Sequence, residues 1–282
     1  MWNKNIQTFL GCDAEYAESK IVLFGAPFDS TASYRPGARF APKRIREESF
    51  GIETYSPYQD KDIEDTAVFD GGDLELPFGN PERALDMIEE TAARILKDGK
   101  LPLMIGGEHL VTLGAFRAAA KAYKNDLYVL HFDAHTDLRA DYLGESLSHA
   151  TVMRRVFDIV GRGRIFQFGI RSGEKSEFEF AKANTVLNKY NLDGIENAVA
   201  ALKGKNVYLS IDLDILDPSE FPATGTPEAG GIKFTELLSA IRLVSGLNIV
   251  ACDISELCPV YDPSGISTAL ACKIVRELLL AL

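Results

Sequence analysis

The chain has little that would tie it to nucleic acid, a membrane or an oxidising compartment. Lys and Arg number 30 against 41 Asp and Glu, giving a formal charge of −11 and an isoelectric point near 4.9. Nucleic acid and anionic lipid both call for a basic footprint, so neither is an expected partner. Most of the acid excess reads as solvated surface that aids solubility. No apolar run approaches the roughly 20 residues that a bilayer-spanning helix requires. The opening Met1-Trp2-Asn3-Lys4-Asn5-Ile6 lacks the basic-then-apolar pattern of a secretory leader, so the expectation is a soluble, cytoplasmic protein. Cysteine is scarce, at Cys12, Cys252, Cys258 and Cys272, with no CxxC pair, which reads as reduced, mostly buried thiols. Trp2, the lone tryptophan, suggests no function. Repeats, low-complexity tracts and Pro/Ser-rich linkers are absent too, so residues 1–282 read as one domain.

What is present is an alternation. Apolar, β-branched runs at 21–25, 66–69, 101–105, 127–132, 165–169, 207–211 and 249–254 are separated by segments of helical period. The clearest helix runs from Pro81 to Lys97, with Asn80 as N-cap and Pro81 in the favoured first position. Further helices are expected near 109–123, 150–160, 196–202, 235–244 and 267–282. Continuous apolar strands are covered on both faces, so the pattern predicts an α/β fold with a parallel sheet between helices. Ligands of such sheets gather beyond the carboxyl ends of the strands.

Three segments place polar residues there. The strand that starts at Tyr128 ends in Asp133-Ala134-His135-Thr136-Asp137, and a period of two sets the three titratable side chains on one side if the extended shape persists. A second strand delivers Asp212 and Asp214 at the same spacing, and like charges so close raise each other's pKa unless a cation lies between them. Asp217, before Pro218, reads as a turn residue. Third, Gly106-Gly107-Glu108-His109 lets the backbone turn tightly and aims His109 at the strand ends. Together these segments supply two histidines and four aspartates, and two divalent ions would neutralise the four carboxylates. Oxygen-rich ligands with some imidazole favour Mn²⁺ over thiolate-seeking metals. Paired ions lower the pKa of a water and hold the resulting nucleophile, which makes hydrolysis the natural chemistry.

These three motifs resemble the metal motifs of the ureohydrolase (arginase/agmatinase) family, and the likeness extends from Gly25-Ala26-Pro27-Phe28-Asp29 to Asp253-Ile254-Ser255-Glu256. The resemblance implies a three-layer α/β/α sandwich, two Mn²⁺ ions and assembly as a homotrimer or homohexamer. It implies His109, Asp133, His135, Asp137, Asp212 and Asp214 as metal ligands, with Asp137 also orienting the nucleophile. It implies His149 as proton shuttle, although Ala150 departs from the usual glycine. Glu256 matches the acid that binds the guanidinium, which a carboxylate meets through paired hydrogen bonds.

Within the family the likeness is to agmatinase rather than arginase. The Arg/Pro/Gly-rich stretch from Ser33 to Pro42, with Ile45-Arg46 after it, resembles the agmatinase segment, and otherwise builds a rigid loop and helix start. The loop Thr224–Gly231 resembles the one beside the second metal motif, and leaves Glu228 either supporting the centre or structural. The segment 138–148 lacks the Asn/Ser-rich α-carboxylate recognition of arginases, and Ser172 follows Gly169-Ile170-Arg171 where arginases carry Asp. The expected substrate is therefore a small cationic guanidino compound, agmatine, split to putrescine and urea. Arg139 and Arg171 keep carboxylate-tailed substrates open: guanidinobutyrate, guanidinopropionate or formiminoglutamate. A non-catalytic family-like subunit would be expected to have lost a ligand, and none is lost. His131, inside the apolar strand, reads as a packed or hydrogen-bonded histidine.

Overall fold

A computed structural model describes residues 7–282, the Asn125 side chain excepted, so the opening Met1–Ile6 and with it Trp2 lie outside the described residues. In chain order the elements are β1 (Ile21–Ala26), α1 (Ala41–Ser49), β2 (Tyr55–Ser56), β3 (Lys61–Asp62), β4 (Val68–Asp73), α2 (Pro81–Lys97), β5 (Leu101–Gly106), α3 (Thr112–Tyr123) and β6 (Leu127–Phe132). They continue with α4 (Val152–Val160), β7 (Ile165–Ile170), α5 (Lys175–Asn184), β8 (Val186–Lys189), α6 (Ile195–Leu202), β9 (Asn206–Asp212), α7 (Phe234–Val244), β10 (Asn248–Ser255) and α8 (Ile266–Ala281).

Eight strands form one sheet in the order β4-β1-β5-β10-β9-β6-β7-β8, and every neighbouring pair is parallel. Strand alternation sorts the core into two layers. Ile21, Leu23, Leu103, Ile105, Leu130, Phe132, Leu209 and Ile211 pack with residues of α1, α6, α7 and α8. Val22, Phe24, Met104, Val129 and Tyr208 pack with residues of α2, α3, α4 and α5. The architecture is the expected three-layer α/β/α sandwich. Asn80 caps α2 as expected, its Oδ1 accepting from Arg83 N at 3.0 Å.

Four differences from the sequence reading have local causes. The strand expected over 66–69 starts at Val68, because Ile63–Asp65 form a 3₁₀ turn that Thr66 closes, and it runs on to Asp73. The short hairpin β2–β3 was not foreseen; it rests partly on α8, Ser56 and Gln59 donating to Glu277 at 2.8 and 2.9 Å. Helix α5 buries only Glu177 and Ala181, too thin a stripe for a periodicity signal, while Phe178 and Phe180 mimic strand spacing. Strand β8 is half-exposed at the sheet edge and carries no apolar run. Among the described residues no helix is long and apolar enough to cross a membrane, and all four cysteines are free and buried.

Candidate metal centre

Parallel register brings the ends of the four central strands to one level. Phe132 of β6 pairs with Ile211 of β9, Asp212 pairs with Ser255 of β10, and Ile254 pairs with Ile105 of β5. The next residues of each strand therefore converge: His109 after β5, Asp133–Asp137 after β6, Asp212 and Asp214 from β9, and Glu256 after β10. The extended shape does not persist through these segments. β6 ends at Phe132, Asp137 lies in the left-handed region at φ 53°, and Leu213–Ile215 form a 3₁₀ turn. Convergence comes from these turns rather than from a period of two. Glu256 is also left-handed, at φ 67°. Non-glycine residues adopt that conformation at a cost, and the surroundings must hold them there.

His109 Nδ1 lies 2.8 Å from Asp137 Oδ2, 3.1 Å from Asp133 Oδ2 and 3.6 Å from Asp212 Oδ2. Its Nε2 meets Ser210 Oγ at 2.9 Å, and Ser210 donates onward to Asp253 at 2.9 Å. Because the serine proton is committed to Asp253, Nε2–H of His109 donates to Ser210 and Nδ1 is the nitrogen left facing three carboxylates. His135 Nδ1 stands 2.9 Å from Asp214 Oδ2, yet that buried oxygen has no hydrogen-bond partner. Among the described residues, the ion pairs of Asp133, Asp137, Asp212 and Asp214 run to histidines, not to lysine or arginine. Two sets of ligand-type atoms, His109/His131/Asp133 and Asp133/His135/Asp214, each lie within 4.8 Å of one another. In the first, both His131 nitrogens are engaged: Nε2 donates to Asp133 at 2.8 Å and Nδ1 accepts from Gln167 at 3.2 Å. His131 thus orients Asp133 from behind.

Repulsion among buried acids shows in their protonation. Burial and Asp133 push the Asp137 carboxyl up to about 7, and burial with Asp214 raises Asp212 well above its ordinary value. Burial, with Glu108 and Asp214, pushes Glu256 up to about 8. For His109 and His135 burial works downward, but the facing carboxylates outweigh it and raise both well above the usual range. Divalent cations would relieve every one of these strains. An orphaned carboxylate oxygen, imidazole nitrogens whose protons a cation would replace and an N/O donor set are what such ions require, so the residues fit them.

A cavity of about 270 Å³ opens over the centre, lined by His109, His135, Asp137, Asp212, Asp214 and Glu256 on its floor; Asp133 sits behind them, fully buried. Glu256 Oε1 accepts from His109 N at 2.7 Å, and Glu256 N donates to Gly107 O at 3.0 Å, so β5 and β10 fix this acid together. Gly107 must be glycine: a Cβ there would meet Phe28 O at 2.0 Å.

His149 stands on the wall between Ser33 Oγ at 3.3 Å and Ser148 Oγ at 3.2 Å, edge-on to Tyr142. Its backbone N–H donates to Thr31 Oγ1, which in turn donates to buried Glu108 at 2.7 Å. Burial, with His135, His109 and Arg139, lowers its pKa to about 4, so its imidazole is neutral near pH 7.

The mouth carries Arg139 and Tyr142 of the segment 138–148, with Ser172 and Glu228, all within the sequence reading, and Glu174 and Glu177, which that reading missed. Glu174 and Glu177 form the capping box that opens α5, a signal hidden with that helix. Glu228 accepts from Ser172 Oγ at 2.8 Å. The Arg/Pro/Gly-rich stretch is largely structural. Arg39 pairs with Asp29, Arg35 lies 3.9 Å over the Tyr261 ring, and Arg46 is buried against Asp70; Ser33 alone of that stretch lines the main cavity. Asp217 accepts from Ser219, Gly230 and Gly231, the expected turn.

Fold and site together define the class, a parallel α/β/α sandwich with candidate ligand groups for divalent cations at the carboxyl ends of its central strands. The sequence profile of the arginase family matches residues 19–281, and the chain belongs to that family. It is 50% identical to an agmatinase of Bacillus anthracis over 97% of this chain and 96% of that protein. It is 48% identical to an agmatinase of Bacillus subtilis, with 97% and 96% covered. A crystal structure of a candidate agmatinase from Clostridium difficile superposes with a TM-score of 0.91 at 52% identity, covering 95% of this chain and 98% of that one.

Proposed function

We propose that this chain is a ureohydrolase that uses two Mn²⁺ ions to hydrolyse agmatine to putrescine and urea. His109, Asp133, His135, Asp137, Asp212 and Asp214 would hold the ions, which when bound supply an activated water as nucleophile. The observation that carries this reading is the buried cluster of four aspartates whose ion pairs, among the described residues, run to imidazoles, beside an acid that faces the same cavity. Glu256 would receive the planar guanidinium through paired, charge-assisted hydrogen bonds and hold its carbon over the centre. Asp137 would accept a hydrogen bond from the nucleophile and orient it. His149, neutral near pH 7, would take up a proton and pass it to the departing amine.

The tail preference rests on two arginines. Arg171 donates to the backbone carbonyls of Gly169, Asp214, Ile215, Leu216 and Glu228, which makes it a strut of the loops. Arg139 pairs with Glu174 and Glu177, both at 3.3 Å, and lies 4.6 Å over the Tyr142 ring. A carboxylate tail would have to take Arg139 from two glutamates. An ammonium tail meets a mouth whose acids outnumber its single cation. The agmatinase relatives support the same choice. Production of putrescine would place the enzyme in polyamine formation. Assembly as a homotrimer or homohexamer and a cytoplasmic location belong to the same reading.

Urea release by manganese-loaded protein from agmatine, arginine, guanidinobutyrate and guanidinopropionate tests the reading. Turnover of agmatine alone is the expected result. Turnover of a carboxylate-tailed compound instead would keep the chemistry and overturn the tail, and urea from none of the four would overturn the proposal.

A further inference from the structure

We infer that Glu177, on α5, is a positioning residue that holds Asp137 in the cation cluster by clamping the backbone on both sides of it. The inference rests on Asp137 being a metal ligand, as proposed above. Asp137 sits at φ 53°, a conformation that costs a non-glycine residue free energy and persists where the surroundings hold it. Glu177 supplies the restraint without touching the Asp137 carboxylate. One of its oxygens, Oε1, accepts from Thr136 Oγ1 at 2.5 Å and from Leu138 N at 3.0 Å, the residues immediately before and after Asp137. The other, Oε2, accepts from Glu174 N at 2.8 Å and pairs with Arg139 Nε at 3.3 Å. Four donors thus occupy a carboxylate that is 3% exposed, leaving it committed to the protein rather than to a ligand in the cavity it borders.

Two neighbours complete the clamp. Gln167 Nε2 donates to Thr136 O at 2.9 Å, which ties the same loop to β7. Gly173 lets the Thr136 hydroxyl reach Glu177, since a Cβ at this position would lie 2.8 Å from Thr136 Oγ1. Side chains behind a metal centre set ligand orientation, and their loss costs about 10–100-fold in metal affinity.

Calorimetric titration of metal-free protein with Mn²⁺ tests this without any substrate. Thr136→Val removes one arm of the clamp and is expected to weaken one of the two Mn²⁺ sites by about tenfold or more. Thr136→Ser, which keeps the hydroxyl, is expected to restore it. Glu177→Ala is expected to weaken that site further, and because it also breaks the α5 cap, the threonine pair carries the test if the alanine variant fails to fold. Arg139→Ala, which cuts only the mouth-side branch, is expected to leave Mn²⁺ affinity unchanged. Wild-type affinity in Thr136→Val, equal loss in the valine and serine variants, or a wild-type chain that binds no Mn²⁺ would each overturn the inference. Two-site binding weakened in Thr136→Val, with no urea from any guanidino compound, would overturn the proposed function and leave the inference standing.

Discussion

Asp70 and Asp212 are almost equally buried, 1% and 2% exposed, yet they live in opposite electrostatic circumstances. Asp70, at the sheet edge on β4, accepts from Arg46 Nε at 2.7 Å and Nη2 at 2.9 Å, and from the backbone N–H groups of Phe9 and Gly72. Arg46 reaches the more exposed Asp73 as well, so a guanidinium from α1 answers the buried Asp70 from within the chain. Asp212, in the middle of the sheet, has Asp133 and Asp214 for neighbours, and among the described residues its ion pair is with the His109 imidazole. A buried charge cluster is affordable when its counter-charge is covalently part of the chain. Where the chain provides none, protons fill the gap until a cation arrives. Of two buried acid clusters on one sheet, the one without an arginine is the one built to take something up.

The largest effect that would sharpen this contrast is expected from Asp212→Ala. It should lower Mn²⁺ affinity by more than the roughly 10–100-fold of changes behind a metal centre and abolish urea release, with far-UV circular dichroism unchanged. His149→Asn tests a residue that faces the centre without belonging to its acid cluster. Here kcat should fall by roughly 10²–10⁴-fold while Mn²⁺ stoichiometry by metal analysis stays at the wild-type value. Arg46→Ala would remove the counter-charge that the chain supplies to Asp70. Leaving Asp70 and Asp73 unpaired should cost about 3–5 kcal/mol in denaturant unfolding, and added Mn²⁺ should not restore it beyond its effect on the wild type.

A smaller effect separates the clusters by pH. With Asp137 raised to about 7 and Glu256 to about 8, the folded metal-free chain holds protons that the unfolded chain has released. Raised carboxyls stabilise the fold below their unfolded pKa and lose that contribution as pH rises through the folded value. His149, lowered to about 4, acts in the opposite sense only below its ordinary 6.5. Between pH 6.5 and 8.5 the metal-free protein should therefore lose melting temperature, and the manganese-loaded protein should not. A melting temperature independent of pH in that window would remove the distinction between the clusters.

Much of this was legible along the chain, for a physical reason. A strand covered on both faces must be apolar throughout, so β1, β5, β6, β7, β9 and β10 announce themselves, and a parallel sheet follows from their alternation with helices. Residues at the ends of such strands have nowhere to go but the sheet's carboxyl edge, which is why Asp133, His135, Asp212 and Asp214 stood out by spacing alone. Helix α5 was silent because it buries so little, and with it Glu174 and Glu177 stayed out of view. The two arginines that left the substrate's tail open resolved only in three dimensions. Arg171 spends most of its donors on carbonyls 43–57 residues away, and Arg139 spends its own on Glu174 and on Glu177 of α5.

By itself, then, the sequence determined the layered parallel architecture and the inventory of acids and imidazoles, because hydrophobic period and strand-end chemistry are local properties. Which acids repel one another's charge, which carry their own arginine, which backbone is bent to φ 53° and what clamps it there were decided by tertiary structure alone. Those depend on distances between segments that the chain order leaves far apart.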